Sequence, residues 1–234
     1  MDFRRPKAVI FDLDGTLVDH FSVIYRCYCH ALAQLRLPPV TFEKVKSSVG
    51  GSIPVTFGKL IPQEHVDEAV RLFRAHLDEI WDAEIMVLPG VTAFVRRLHA
   101  EGVPAAVLTN KEGERSRAIL ERVDLAPCFD FILGVLDTPW RKPDREFSRA
   151  ALERLGTAPE ETCLVGDSPY DIAAADAAGM IGYGVATGSH SLDELRATPA
   201  RAAYPDMAAL AAGVFGYKLP EDPGRLLRNG QPAA

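Results

Sequence analysis

A run of apolar residues, Ala8 to Phe11, ends in two acids, Asp12 and Asp14, with Gly15 and Thr16 directly behind them. An ordinary buried strand has no use for two carboxylates at its tip, because ionised groups there cost free energy unless they are paired or hold a metal. Other apolar runs end in the same way. The stretch "VPAAVLTN" delivers Thr109 and Asn110, "DFILGV" is followed by a loop carrying Lys142, and "TCLVGD" delivers Gly166, Asp167 and Ser168 with Asp171 just beyond. Carboxylates, a hydroxyl and an ammonium are the residue types that metal binding, nucleophilic attack and proton transfer draw on.

The elements that must position these groups follow from periodicity. After Asp19 the apolar positions Ile24, Cys27, Tyr28, Ala31, Leu32 and Leu35 step by three and four, one face of a helix that Pro38-Pro39 ends. A short helix is expected from Thr41 to Val49, stopped by Gly50-Gly51. A longer one carries Val66, Ala69, Val70, Phe73, Leu77, Ile80 and Trp81. Residues 20–86 thus read as all-helical. From Leu88 onward helices alternate with short apolar runs: a helix ending at Gly102, then "VPAAVLTN", a helix around Ala118 to Val123, then "DFILGV". A helix from Glu146 to Leu155 precedes "TCLVGD", and one from Tyr170 to Ala178 precedes "MIGYGVA".

Helices between successive strands require parallel pairing with right-handed crossovers, so the fold class is α/β, a doubly wound parallel sheet of the Rossmann type. Residues 1–19 and 87–216 are expected to form this core, and 20–86 an inserted helical cap domain. The segment 217–234, "YKLPEDPGRLLRNGQPAA", is rich in Pro, Gly and Arg and is expected to be a flexible tail. In such a sheet ligands bind beyond the carboxyl ends of the strands. The acids, the hydroxyl and the ammonium converge there only if the first strand lies between the second and the fourth.

Composition bounds the partners. The chain has 234 residues, 47% hydrophobic and 25% charged, with a formal net charge of −6, which argues against nucleic acid and acidic membrane surfaces. Nothing approaches the roughly 20 apolar residues a bilayer span needs, and the apolar run behind "MDFRRPK" is broken by Asp12 and Asp14 before it could serve as a signal-peptide core. Cys27, Cys29, Cys128 and Cys163 form no CxxC pair, and reduced thiols imply a cytoplasmic protein.

The motifs "DLDGT" (12–16), "LTN" (108–110), "RKP" (141–143) and "GDSPYDI" (166–172), in this order and each at a strand end or the loop behind one, resemble the four motifs of the haloacid dehalogenase superfamily of phosphohydrolases. The helical insertion before "LPGV" (88–91) is similar to the phosphoglycolate phosphatase-like subfamily, and the likeness runs from about Ala8 to Ala212. The resemblance implies a catalytic set of Asp12, Asp14, Thr109 and Lys142. Asp12 is expected as nucleophile, forming an aspartyl-phosphate, and Asp14 as the acid that protonates the leaving alkoxide and then activates water. Magnesium is the implied cofactor, held by Asp12, Asp167 and the backbone carbonyl of Asp14, with Asp171 orienting metal-bound water from behind. Thr109, Asn110 and Lys142 are expected at the phosphoryl group, and Gly50 and Gly51 at the substrate from the cap loop.

Asp14 separates the reactions within this family. An unactivated phosphate ester needs its leaving group protonated and a halide does not, so the chain resembles a phosphatase more than a dehalogenase. The expected substrate is a small phosphorylated metabolite, phosphoglycolate first. A phosphosugar mutase on the same core and a catalytically inactive regulatory or scaffold protein are the alternatives. Oligomeric state is not readable. Lys46 and Lys59 are candidates to meet a substrate anion, though solvated helix lysines are the default. His20 reads as a polar residue at a helix start, and "GMIGYG" (179–184) is rejected as a nucleotide motif because it precedes a strand.

Overall fold

Burial on both faces lets a strand carry an unbroken apolar run. Ala8–Phe11 does so as β1 in the computed structural model, which describes residues 5–229. A short strand, β2 (Val18–Asp19), follows. Then come four helices, α1 (Phe21–Gln34), α2 (Phe42–Ser48), α3 (Ile53–Leu60) and α4 (Val66–Ile80). The chain returns through β3 (Glu84–Val87) and α5 (Val91–Ala100), then alternates through β4 (Ala105–Glu112), α6 (Gly113–Arg122), β5 (Phe131–Val135) and α7 (Arg145–Leu155). It continues with β6 (Thr162–Gly166), α8 (Pro169–Ala178) and β7 (Ile181–Val185). The described chain closes with α9 (Leu192–Arg196), β8 (Ala202–Tyr204), α10 (Met207–Phe215) and β9 (Arg225–Arg228).

Six strands form one parallel sheet in the order β5-β4-β1-β6-β7-β8. Val9 lies opposite Ala105 on one side and Cys163 on the other, so β1 is central and flanked by β4 and β6, as convergence of the motif residues requires. Alternation along β1 splits the core between the two faces of the sheet. Val9 and Phe11 pack with Val91, Phe94 and Val95 of α5, whereas Ile10 packs with Phe147 and Ala151 of α7 and Ala174 and Ala175 of α8. The doubly wound α/β class is therefore the observed one, and the strands and helices between Leu88 and Val185 fall where periodicity places them.

The helical insertion has its own core. Val23, Ile24, Cys27, Tyr28, Ala31 and Leu32 of α1 face Val66, Ala69, Val70, Phe73 and Leu77 of α4. Tyr28 anchors it, with its ring centroid 4.5 Å from Phe57 and 4.9 Å from Phe73. Thr41 caps α2 by accepting from the Lys44 amide, which sets the chain up for the turn at Gly50-Gly51. All four cysteines are free, and among the described residues no helix is long and apolar enough to cross a membrane.

Two expectations need correction. Residues 20–86 are not wholly helical, because Glu84–Val87 is a strand, and residues 217–229 do not fray as a whole. β2, β3 and β9 form a second, antiparallel sheet in which Ile85 pairs with Leu227 and Val87 with Arg225. Ile85 and Val87 are buried between the half-buried Glu84 and Met86, the period-2 pattern of a strand with one covered face. The Pro and Gly residues before Arg225 route the tail back to this edge; they do not dissolve it. Gly230 to Ala234 and Met1 to Arg4 lie outside the described residues.

Leu227 is only 3% exposed while its neighbour Leu226 is 41% exposed, so the pair separates docking from composition. Leu227→Ala should lower stability by about 2–4 kcal/mol, and Leu226→Ala by less than about 0.5 kcal/mol, as read by urea unfolding. Equal, small effects would mean that β9 is not docked in solution.

Candidate active site

The carboxyl end of β1 carries Asp12 into a cluster built around one lysine. Lys142, in the loop between β5 and α7, is 2% exposed; its ammonium lies 2.8 Å from Asp12 Oδ1 and 2.5 Å from Asp171 Oδ1. Burial by itself drives the lysine pKa down, but the charges of Asp12 and Asp171 outweigh it and lift it to about 12, so the ammonium stays charged. Its backbone is fixed by Asn110, whose Oδ1 accepts from the Lys142 amide at 2.8 Å and whose Nδ2 donates to the Lys142 carbonyl at 3.0 Å. Asn110 therefore spends its side chain on holding the lysine loop and the cap loop, and does not offer it to a ligand.

Asp171 has both oxygens occupied. Oδ1 meets Lys142, and Oδ2 accepts from the Ser168 amide at 3.1 Å and the Ser168 hydroxyl at 2.6 Å, the capping box that opens α8. These contacts make Asp171 the anchor of Lys142 and the cap of α8. Asp167 turns the other way, its Oδ2 accepting from the amide of Ser189 at 2.6 Å and its hydroxyl at 2.7 Å. Gly15 makes room for it. The backbone there has φ +85°, and a Cβ would lie 2.5 Å from Asp167 Oδ2, so any side chain collides with the acid. Thr16 amide closes the turn onto the Leu13 carbonyl at 3.2 Å.

Asp14 meets a residue that motif reading passed over. Lys111 Nζ lies 2.8 Å from Asp14 Oδ2 and 3.3 Å from His20 Nδ1. His20 is buried at the start of α1, with Nε2 2.7 Å from the Trp81 carbonyl. Only an N–H can serve that carbonyl, so Nε2 carries the proton and Nδ1 is the bare acceptor facing Lys111. Burial, then the Lys111 charge, hold His20 well below its ordinary pKa of 6.5 and keep it neutral. A helix-start position is thus right for His20, but its side chain is tied to the site.

The carboxylates of Asp12, Asp167 and Asp171 each place an oxygen within 4.8 Å of the others, all three buried. Three such acids outnumber the one ammonium among them, Lys142. Burial and then the charges of Asp171 and Asp12 push the Asp167 pKa up against the Ser189 hydrogen bonds. Asp14 Oδ1 is buried without a hydrogen-bond partner. Buried carboxylates in excess of the ammonium among them are the donor set of a hard divalent cation, and the residues present fit magnesium.

Cap and core enclose a cavity of about 60 Å³ over these acids. Asp12, Asp14, Asp167, Thr109, Asn110 and Lys111 line its floor, and Tyr28, Gly50, Gly51, Phe73 and Leu77 its roof. The cap is held down by Asn110 Nδ2 donating to the Gly50 carbonyl at 2.8 Å, Arg74 on Glu112 at 2.6 Å, and Arg115 on Asp78 at 2.5 Å. Gly50 has φ +116°, and a Cβ there would press on the Tyr170 ring at 3.1 Å, so the close approach of this loop to the core needs glycine. Lys46 and Lys59 do not line the cavity. Lys46 lies over the Phe21 ring, and Lys59 lies over Tyr170 and donates to the Ser48 carbonyl.

Residues 9–185 match the family model described as haloacid dehalogenase-like hydrolase. A protein of Dickeya dadantii whose name marks it as a phosphatase is 35% identical over 195 residues, covering 81% of this chain and 85% of its own. A phosphoglycolate phosphatase of Chromobacterium violaceum is 34% identical over 205 residues, covering 81% and 90%. Among solved structures, a haloacid dehalogenase-like hydrolase of Streptococcus pneumoniae superposes with a TM-score of 0.82 at 20% identity, over 93% of this chain and 100% of its own, a likeness of fold.

The neutral state of His20 gives a pH signature. The unfolded chain binds a proton near the ordinary pKa of 6.5 that the folded chain refuses, so stability falls as the pH drops below that value and levels off only past the depressed folded value. Between about pH 7.5 and pH 5 the wild type should lose about 1–2 kcal/mol more than His20→Gln in urea unfolding. Identical pH slopes would mean that His20 is not held neutral.

Proposed function

The chain belongs to the haloacid dehalogenase-like hydrolases and is a phosphoric monoester hydrolase, and from that premise we propose that it hydrolyses a small phosphate monoester through an aspartyl-phosphate, using magnesium, with phosphoglycolate as the leading substrate. The observation that carries this reading is the tip of β1, where Asp12 is held 2.8 Å from a buried, charged Lys142 beside Asp167. The free cysteines and the negative net charge support a cytoplasmic enzyme acting on a small metabolite.

Hydrolysis of a phosphate monoester is among the slowest uncatalysed reactions, so the protein must neutralise charge and supply an oriented nucleophile. Magnesium, held by Asp12, Asp167 and the Asp14 carbonyl, would neutralise the phosphoryl oxygens. Lys142 fixes the Asp12 carboxylate in place with a buried positive charge. An Asp12 oxygen then attacks phosphorus, the ester bond breaks, and the leaving alkoxide takes a proton from Asp14. In the second step the Asp14 carboxylate removes a proton from water as that water attacks the phosphoaspartate, releasing phosphate and restoring Asp12. The Thr109 hydroxyl, buried at the cavity floor, and the backbone amides of Leu13 and Asn110 are the donors for the transferring oxygens.

The cap supports this reading by excluding bulk water. The clamps from Asn110, Arg74 and Arg115 close the site, which strengthens every charge interaction inside it. Phosphoglycolate is favoured by the relative from Chromobacterium violaceum named for it.

Asp12→Asn should retain the fold and lower kcat on an aryl phosphate by more than about 10³-fold, and a chelator should abolish wild-type turnover until magnesium is returned. Turnover by Asp12→Asn at the wild-type rate would overturn the nucleophile assignment, and full activity in the chelator would overturn the metal.

A further inference from the structure

Two cations stand in the cavity without a role in the steps above. The Lys111 side chain is 9% exposed, and its ammonium donates to Asp14 Oδ2 and to the bare Nδ1 of His20, which leaves one of its three N–H groups without a partner. Arg115, at the start of α6, lines the same cavity; its guanidinium lies 5.1 Å above the Trp81 ring with one nitrogen on Asp78, and among the described residues its remaining donors have no hydrogen-bond partner. Glu112, the acid between them, is taken up by Arg74. The walls around the two cations are apolar or aromatic, from Ile24, Tyr28, Phe73 and Leu77.

We propose that Lys111 and Arg115 form a second anion receptor, which selects phosphate monoesters bearing a carboxylate one or two carbons from the ester oxygen. The inference rests on the phosphatase reading above. If Asp14 protonates the ester oxygen, the carbon bonded to that oxygen sits beside Asp14, and Lys111 is 2.8 Å from Asp14. The next group along the leaving alcohol therefore meets the ammonium. Lysine and arginine donate and never accept, so the pair suits a carboxylate better than a sugar hydroxyl, which also needs somewhere to donate. His20 acts here as a positioning residue: its neutral Nδ1 steadies the lysine without repelling it.

The competing account is that Lys111 only neutralises Asp14. The two differ in which substrates suffer when the lysine is removed. Loss of Asp14 neutralisation falls on every ester, whereas loss of a carboxylate receptor falls on esters that carry one. The test compares kcat/KM for 2-phosphoglycolate and ethyl phosphate, which share the reacting bond and nearly the same size, in wild type, Lys111→Met, Lys111→Arg and Arg115→Gln.

The wild type should prefer phosphoglycolate by about 10²-fold or more, and Lys111→Met should cut that ratio by about tenfold or more, chiefly by raising KM for phosphoglycolate. Lys111→Arg should restore part of the ratio, and Arg115→Gln, which also gives up the Asp78 clamp for both esters alike, should lower it as well. A wild type without preference, or a ratio within about threefold of wild type in both Lys111→Met and Arg115→Gln, overturns the receptor. Should Lys111→Met fail to fold, Arg115→Gln decides alone by the same ratio. A wild type that turns over no phosphate monoester, p-nitrophenyl phosphate included, overturns the phosphatase reading and the receptor with it; turnover of that aryl ester without a carboxylate preference overturns the receptor only.

Discussion

One buried ammonium organises this protein. Lys142 sits between Asp12 and Asp171, and without it these two buried carboxylates would lose the one ammonium that offsets their repulsion. Its position depends on elements far apart in the chain. β1 brings Asp12, α8 brings Asp171 through its capping box, and Asn110 at the end of β4 grips the lysine's own backbone. The order of the parallel sheet, with β1 between β4 and β6, is what lets these three meet.

The same residues tie the core to the cap. Asn110 holds the Lys142 backbone with both ends of its amide and also reaches the Gly50 carbonyl of the cap loop, so the anchor of Lys142 and the latch of the cap are one side chain. Around the cavity the charges fall into two groups. On the proposed reading, the acids and Lys142 lie where a phosphoryl group and its metal would bind, and Lys111 and Arg115 where the leaving group would extend. A family that shares the first group can vary its substrates through the second, since the reacting centre itself asks only for a phosphate ester.

Much of this is readable from sequence, for physical reasons that also mark where reading stops. The strands of the parallel sheet are buried on both faces and announce themselves as apolar runs, and each motif stands at a strand's carboxyl end or just beyond it. Asp12, Asp14, Thr109, Asn110, Asp167 and Gly50-Gly51 all line the cavity, and Lys142 lies buried against Asp12. Asp171 was expected behind a metal-bound water; its capping box with Ser168 and its contact with Lys142 are what the fold adds. β9 was hidden because four residues with an arginine at each end look like a solvated tail until Leu227 finds Ile85, a partner more than a hundred residues away. Lys111 was hidden by its own motif: it follows Asn110 directly, but its meaning comes from Asp14 and His20, which only the fold brings near. Ser189 is the same kind of case, a loop residue made significant by Asp167.

The central claim is that Asp12 is the atom donor to phosphorus. Acid quenching of the enzyme during turnover of a phosphate monoester with magnesium, followed by borohydride reduction and peptide mass mapping, tests it directly, because an acyl phosphate is reduced where a free carboxylate is not. The account predicts homoserine at position 12, formed only when substrate and magnesium are both present. Unmodified Asp12 from enzyme quenched under conditions where a phosphoenzyme accumulates, or reduction at another acid, would contradict it.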